Sequence, residues 1–114
     1  MTLRPLHWLG SSRAAVRAFP PNARRIAGYQ LYRVQAGHDP SDWKPMAQVG
    51  PGVREIRIRA GGEFRVLYLA TRTEAVYVLH AFAKKSRRTR ALDLDLARAR
   101  FKDLTRDRGR DEET

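Results

Sequence analysis

The sequence predicts an α+β fold, in which an antiparallel sheet follows an N-terminal helix hairpin and precedes a C-terminal helix. Three observations predict it. Residues 53–90 hold three apolar runs in succession, Val53–Arg59, Phe64–Leu69 and Ala75–Phe82, each of strand length. Residues 22–36 place Ala23, Ile26, Ala27, Leu31 and Val34 at helical spacing. Residues 90–106 do the same with Leu94, Ala97, Phe101 and Leu104, in a segment rich in alanine and arginine.

At 114 residues the chain is read as one domain, residues 1–107, with a frayed acidic C-terminal tail over 108–114. A domain of this size buries roughly two-thirds of the surface its unfolded chain exposes, enough for a single core. Taken in order, Leu3–Leu9 alternates loosely as a first strand, and Pro5 favours a sheet edge. Ser11 or Ser12 then suits the N-cap of a short helix running to Phe19. Pro20-Pro21 breaks that helix, and Pro21 fits the first turn of the next, which Gly37 ends. Residues 39–52 are rich in turn formers, and Trp43, Met46 and Val49 anchor them as a packed connection.

Val53–Arg59 and Phe64–Leu69 form a hairpin around Ala60-Gly61-Gly62-Glu63. Two registers are open. A two-residue turn pairing Ala60 with Glu63 puts Arg65 and Arg57 on opposite faces, whereas a three-residue loop pairing Arg59 with Glu63 puts them on one face.

Charge narrows the partners. The net charge is +11, and residues 53–90 carry ten Lys/Arg against three Glu, so most of the excess sits on the strands and their exit. Such a chain is expected to meet an anionic partner. There are no cysteines, which excludes disulfides and thiolate metal sites. No apolar run approaches the roughly 20 residues needed to span a bilayer, and no signal peptide is visible. The expected compartment is the cytoplasm, with no membrane partner.

Phosphate-cradling and dinucleotide glycine motifs are absent, as is any zinc-type cluster, so no metal and no cofactor are expected. His7, His38 and His80 lie far apart in sequence, and His80 falls mid-strand, where a packed histidine is the plainer reading. What remains is cationic. Arg57, Arg65, Lys84 and Lys85 can gather at one concavity of a three-strand meander, flanked by Arg54, Arg59, Arg87, Arg88 and Arg90. Guanidinium forks suit phosphate recognition and can stabilise charge developing on a phosphoryl group.

The runs Val-Arg-Glu-Ile-Arg-Ile-Arg, Phe-Arg-Val-Leu-Tyr, Val-Tyr-Val-Leu-His-Ala-Phe and Lys-Lys-Ser-Arg-Arg-Thr resemble the RelE/HigB-type toxins of bacterial type II toxin–antitoxin pairs. With the loop Asp42-Trp43-Lys44-Pro45, they are most similar to the phage-derived-protein-like branch, over about residues 3–104. The resemblance implies a RelE-like fold and a ribosome-dependent mRNA endoribonuclease. In it the 2′-hydroxyl attacks the neighbouring phosphate without metal, and a cognate antitoxin, a small helix-turn-helix DNA-binding protein, silences the toxin. It further implies that Arg65 stabilises the transition-state phosphate. Arg57 stands at a basic position of the preceding strand, and Lys85 with Lys84 at the basic pair, one member of which is assigned as general acid. The remaining cations, Arg54, Arg59, Arg87, Arg88 and Arg90, are expected to bind RNA. Two departures are visible. Arg57 replaces the family's lysine, and a guanidinium stays protonated and is a poor base. Only Phe101 stands near the place of the C-terminal tyrosine with which RelE stacks a base. Lys84 or His80 then remain as proton carriers. Two other functions fit the same composition: a ParE-like toxin that inhibits gyrase without nuclease activity, and a non-catalytic basic nucleic-acid-binding module.

Overall fold

The structure, a computed structural model, describes residues 2–86 and 91–113, with side chains described as far as Arg106. The elements run β1 (Leu6–Trp8), α1 (Ser12–Arg17), α2 (Pro21–Gln35), β2 (Trp43–Pro45), β3 (Val53–Arg59), β4 (Glu63–Leu69), β5 (Val76–Lys84) and α3 (Ala91–Glu113). The fold is α+β. Its single five-stranded sheet has the order β1-β5-β4-β3-β2.

Two strands differ from the sequence reading. The sheet is mixed, because β1 lies parallel to β5 at one edge while the remaining neighbours are antiparallel. Pro5 precedes β1, so no ladder donor is lost, and its carbonyl accepts from the Val76 amide at 2.9 Å. At the other edge, the turn-rich connection contributes β2, whose Lys44 and Pro45 pair with Glu55 and Arg54. A three-residue strand ending in proline is tolerated only at an edge.

The helix hairpin covers one face. Pro21 takes the first helical position, and Ala23, Ala27, Leu31 and Val34 are buried as their spacing requires. The helix ends as Gly37, at φ 90°, donates to Val34 and His38 donates to Arg33, which satisfies two of the last carbonyls. Ser11 takes the N-cap position of α1 but makes no side-chain cap bond: its hydroxyl accepts from Arg100 Nη2 at 3.0 Å, while buried Ser12 donates to the Val78 carbonyl at 3.1 Å. Helices α1 and α2 pack on Ile56, Ile58, Phe64, Val66, Tyr68, Val76 and Val78.

Helix α3 covers part of the opposite face. Ala97 is buried there against Leu67, Leu69, Tyr77, Leu79 and Phe82, with Leu94, Phe101 and Leu104 packed alongside. The helix continues past Arg106, where its apolar stripe ends, to Glu113. No described helix is long and apolar enough to cross a membrane.

Candidate functional site

The hairpin register decides which charges meet. Arg59 pairs with Glu63, so the loop is the three residues Ala60-Gly61-Gly62, closed by an Ala60 N–H to Gly62 carbonyl bond of 3.0 Å. Gly61 sits at φ 71°, a conformation that a side chain would strain. Strand alternation from that loop sets Arg57 opposite Arg65, and Arg65 opposite Phe82 of β5. The next rung outward is Arg59, Glu63 and Lys84. Of the two registers open in sequence, this one places both arginines on the face that α3 partly covers.

A buried carboxylate lies at the centre. Glu55 is 0% exposed, and its Oε1 is 3.4 Å from Arg65 Nε, 3.8 Å from Lys44 Nζ and 3.9 Å from Arg57 Nε. Neither Glu55 oxygen accepts a hydrogen bond, and neither Arg57 Nε nor Arg65 Nε donates one. The Glu55 oxygens and the two Nε groups are therefore held by charge at long range, with the directional capacity of those atoms unspent. A carboxylate buried this deeply is tolerable only with such compensation.

The two arginines are placed differently. The Arg65 side chain is 5% exposed, donates from Nη1 to the Phe64 carbonyl at 3.1 Å, and lies 3.8 Å through Nη2 from Glu63. Arg57 is 32% exposed, and its outer edge faces Asp42 at 4.0 Å. Arg65 is thus a fixed floor and Arg57 a more open wall.

Other expected positions scatter. Lys84 is on β5, half-buried, and shares the arginine face; Lys85 lies just past the strand end and is exposed. Neither forms an ion pair among the described residues. Arg59, at the hairpin tip, pairs with Glu63 at 3.7 Å. Arg54 points to the opposite face, where it bonds Asp39 at 2.7 Å and stacks 4.0 Å from the Trp43 ring centroid. Arg87, Arg88 and Arg90 lie outside the described residues.

His80 is buried, with both ring nitrogens engaged. Arg100 Nη1 approaches Nδ1 at 3.2 Å, and Nε2 lies 2.8 Å from Asp93 Oδ1. Because a guanidinium only donates, Nδ1 is the acceptor and Nε2 carries the proton that Asp93 receives. A bulge opposite Leu67 and Tyr68 lets both Leu79 and His80 turn toward α3.

Sequence reading passed over Glu55, Lys44, Asp93 and Arg100. The signal for Glu55 was present, since it stands two residues before Arg57 and so shares its face. Lys44 was hidden in an unrecognised strand, and the Asp93–His80–Arg100 arrangement is tertiary.

Chemically, the face presents the Arg57 and Arg65 guanidiniums, groups whose forks suit phosphate, with Lys84 on the next rung of the same face. Among the described residues no group of histidine, aspartate or glutamate is arranged to hold a metal ion. A family model described as "Phage derived protein Gp49-like (DUF891)" matches residues 14–102. No curated protein matches the chain.

Proposed function

The chain belongs to the Gp49-like family, a toxin-type family within the RelE/ParE-like superfamily, which implies an antitoxin partner, and from that premise we propose that it is a ribosome-dependent mRNA endoribonuclease. The observation that carries this reading is the Arg57–Arg65 rung, two guanidiniums facing one another with buried Nε donors unspent. A phosphate entering there exchanges long ion pairs for short charge-assisted bonds.

In this reading the 2′-hydroxyl releases its proton to solvent as its oxygen attacks the adjacent phosphorus, the bond to the 5′-oxygen breaks, and a cyclic phosphate remains. Arg65 stabilises the extra negative charge on the non-bridging oxygens, held in place by Glu55 and the Phe64 carbonyl. Arg57 binds the same phosphate from the open side. Lys84, with Lys85 beside it, donates the proton to the leaving oxygen. His80 serves by fixing α3 over the sheet through Asp93 and Arg100, rather than by touching RNA. Positioning on the ribosome supplies a large part of the rate.

The test is expression in bacteria with mRNA mapped for cleavage. Wild type should arrest growth with transcripts cut at in-frame codon positions, and Arg65→Lys, which keeps the charge but loses the fork, should abolish cutting while the protein stays folded. Arg65→Ala should relieve arrest as well, with some loss of stability because Glu55 is left uncompensated. Full cleavage by Arg65→Lys sinks the site. The deep burial of Arg65 favours a second reading, in which the cluster is structural and the toxin acts on gyrase; arrest with intact mRNA and DNA damage identifies it.

A further inference from the structure

On the face covered by the helix hairpin, a cavity of about 310 Å³ opens where the C-terminal end of α2 meets β3 and β4. Its lining includes Arg4, His38, Asp39, Arg54, Tyr68 and Thr71, none of them in the Arg57–Arg65 cluster. That volume lies within the range of small-molecule pockets, roughly 300–1,000 Å³.

Arg4 is locked into the wall. Its Nη1 donates to the carbonyls of Ala70 at 2.7 Å and Arg72 at 2.9 Å, and its Nη2 to that of Val34 at 3.1 Å. No carboxylate pairs with it among the described residues, so its charge is fixed in position and unneutralised. Arg54 forms the opposite wall, held by Asp39 and by the Trp43 ring. Tyr68 is the third element. The residue is 1% exposed, and its buried hydroxyl has no hydrogen-bond partner of ordinary geometry, although the Arg54 guanidinium is close. Burial raises the Tyr68 hydroxyl above its usual range, with Arg54 opposing, so it is a protonated donor at neutral pH. A buried hydroxyl left unspent is destabilising unless something uses it.

Two guanidiniums against one carboxylate leave an excess positive charge, and the lining draws cationic and donor side chains from the N-terminal segment, β3 and β4. A planar carboxylate needs one guanidinium edge, as Asp39 already takes on Arg54. A tetrahedral oxyanion is the ligand that uses donors from several directions. We propose that this cavity is a phosphate-binding site, separate from the arginine rung, that takes a phosphate group, free or carried by a nucleotide or an RNA strand. The RNA source rests on the endoribonuclease reading, but the anion site does not.

The experiment is a titration of the ¹⁵N-labelled full chain with inorganic phosphate, adenosine 5′-monophosphate and acetate, read by amide and arginine Nε shifts. Phosphate should move Gly37, Gly52, Thr71 and the Arg54 Nε, and Tyr68→Phe should weaken that binding about fivefold, the loss of one hydrogen bond. Tyr68→Phe removes a hydroxyl that has no partner, so the fold is expected to survive. Arg65→Lys should leave the Gly37, Gly52, Thr71 and Arg54 Nε shifts unchanged, which separates failure of this site from failure of the nuclease reading. Tighter binding of the nucleotide than of phosphate assigns the site to RNA or nucleotide; equal binding assigns it to free phosphate, and both support it. Phosphate shifts confined to the Arg57–Arg65 rung with none at the cavity, acetate binding as well as phosphate, or an unaltered affinity in Tyr68→Phe overturns it.

Discussion

Replacing Glu55 by glutamine keeps the side chain's size and removes the negative charge that lies 3.4–3.9 Å from Arg65, Lys44 and Arg57. Two arginines would then share one rung with no negative charge at residue 55 to compensate them. Breaking a buried pair on one side costs about 3–5 kcal/mol, so Glu55→Gln should lower unfolding stability by about that much in denaturant melts. Added sulfate, an anion that can substitute for the lost charge, should restore part of it. A loss below about 1 kcal/mol would mean that solvent already screens the cluster. Tyr68 gives a pH-dependent counterpart. Its folded pKa is raised by burial from an ordinary value of 10.0, so the neutral form favours the fold. That contribution is fully present below the unfolded pKa near 10 and is lost as pH rises through the folded value. Stability should therefore be insensitive to this group at neutral pH and fall above about pH 10, and Tyr68→Phe should blunt the alkaline fall. Of these residues, Arg65 was named in sequence as one of the strand-borne cations and through the resemblance of its Phe-Arg-Val run. Glu55 was not, because in a segment counted as basic its charge read only as a small subtraction.

At the scale of elements, what could be read followed from how local the determinant was. The α2 stripe is set by spacing alone, and the helix stands where the stripe does. The β3–β4 register depends on whether the glycine pair closes a loop of two residues or three, a choice that sheet packing makes rather than the four residues themselves. The β1–β5 pairing joins residues some seventy positions apart, and nothing near Leu6 marks its direction. Helix α3 is docked through close approach. A Cβ added to Gly50 would fall 2.5 Å from the Phe101 ring, and Arg98 reaches back to the Gln48 carbonyl at 2.7 Å. Gly50→Ala should therefore push the ring from its seat at a cost of about 1–3 kcal/mol. Hydrogen exchange should speed up first in α3 and leave β3–β5 protected. Uniform loss of protection would show that helix and sheet unfold as one unit.

Across the whole molecule, the sheet divides the positive charge between two faces. One carries Arg57, Arg65 and Lys84; the other carries Arg4 and Arg54. The total of +11 was plain in the composition, but its division required knowing that β3 alternates and that Arg54 and Arg57, three positions apart, fall on opposite sides. Such a field draws a polyanion to either face, so total affinity cannot say which one RNA uses. Salt dependence can. Each phosphate contact on a single strand contributes a slope of about 0.7 to the fall of log affinity with log salt. Replacing Lys84 and Lys85 by glutamine should reduce the slope for a short single-stranded RNA by about 1.4 if both contact phosphate. The cost in stability should be within about 0.5 kcal/mol, because neither lysine forms an ion pair among the described residues. An unchanged slope would place the RNA away from the end of β5 and leave Lys84 and Lys85 without the proton-donating role assigned to them.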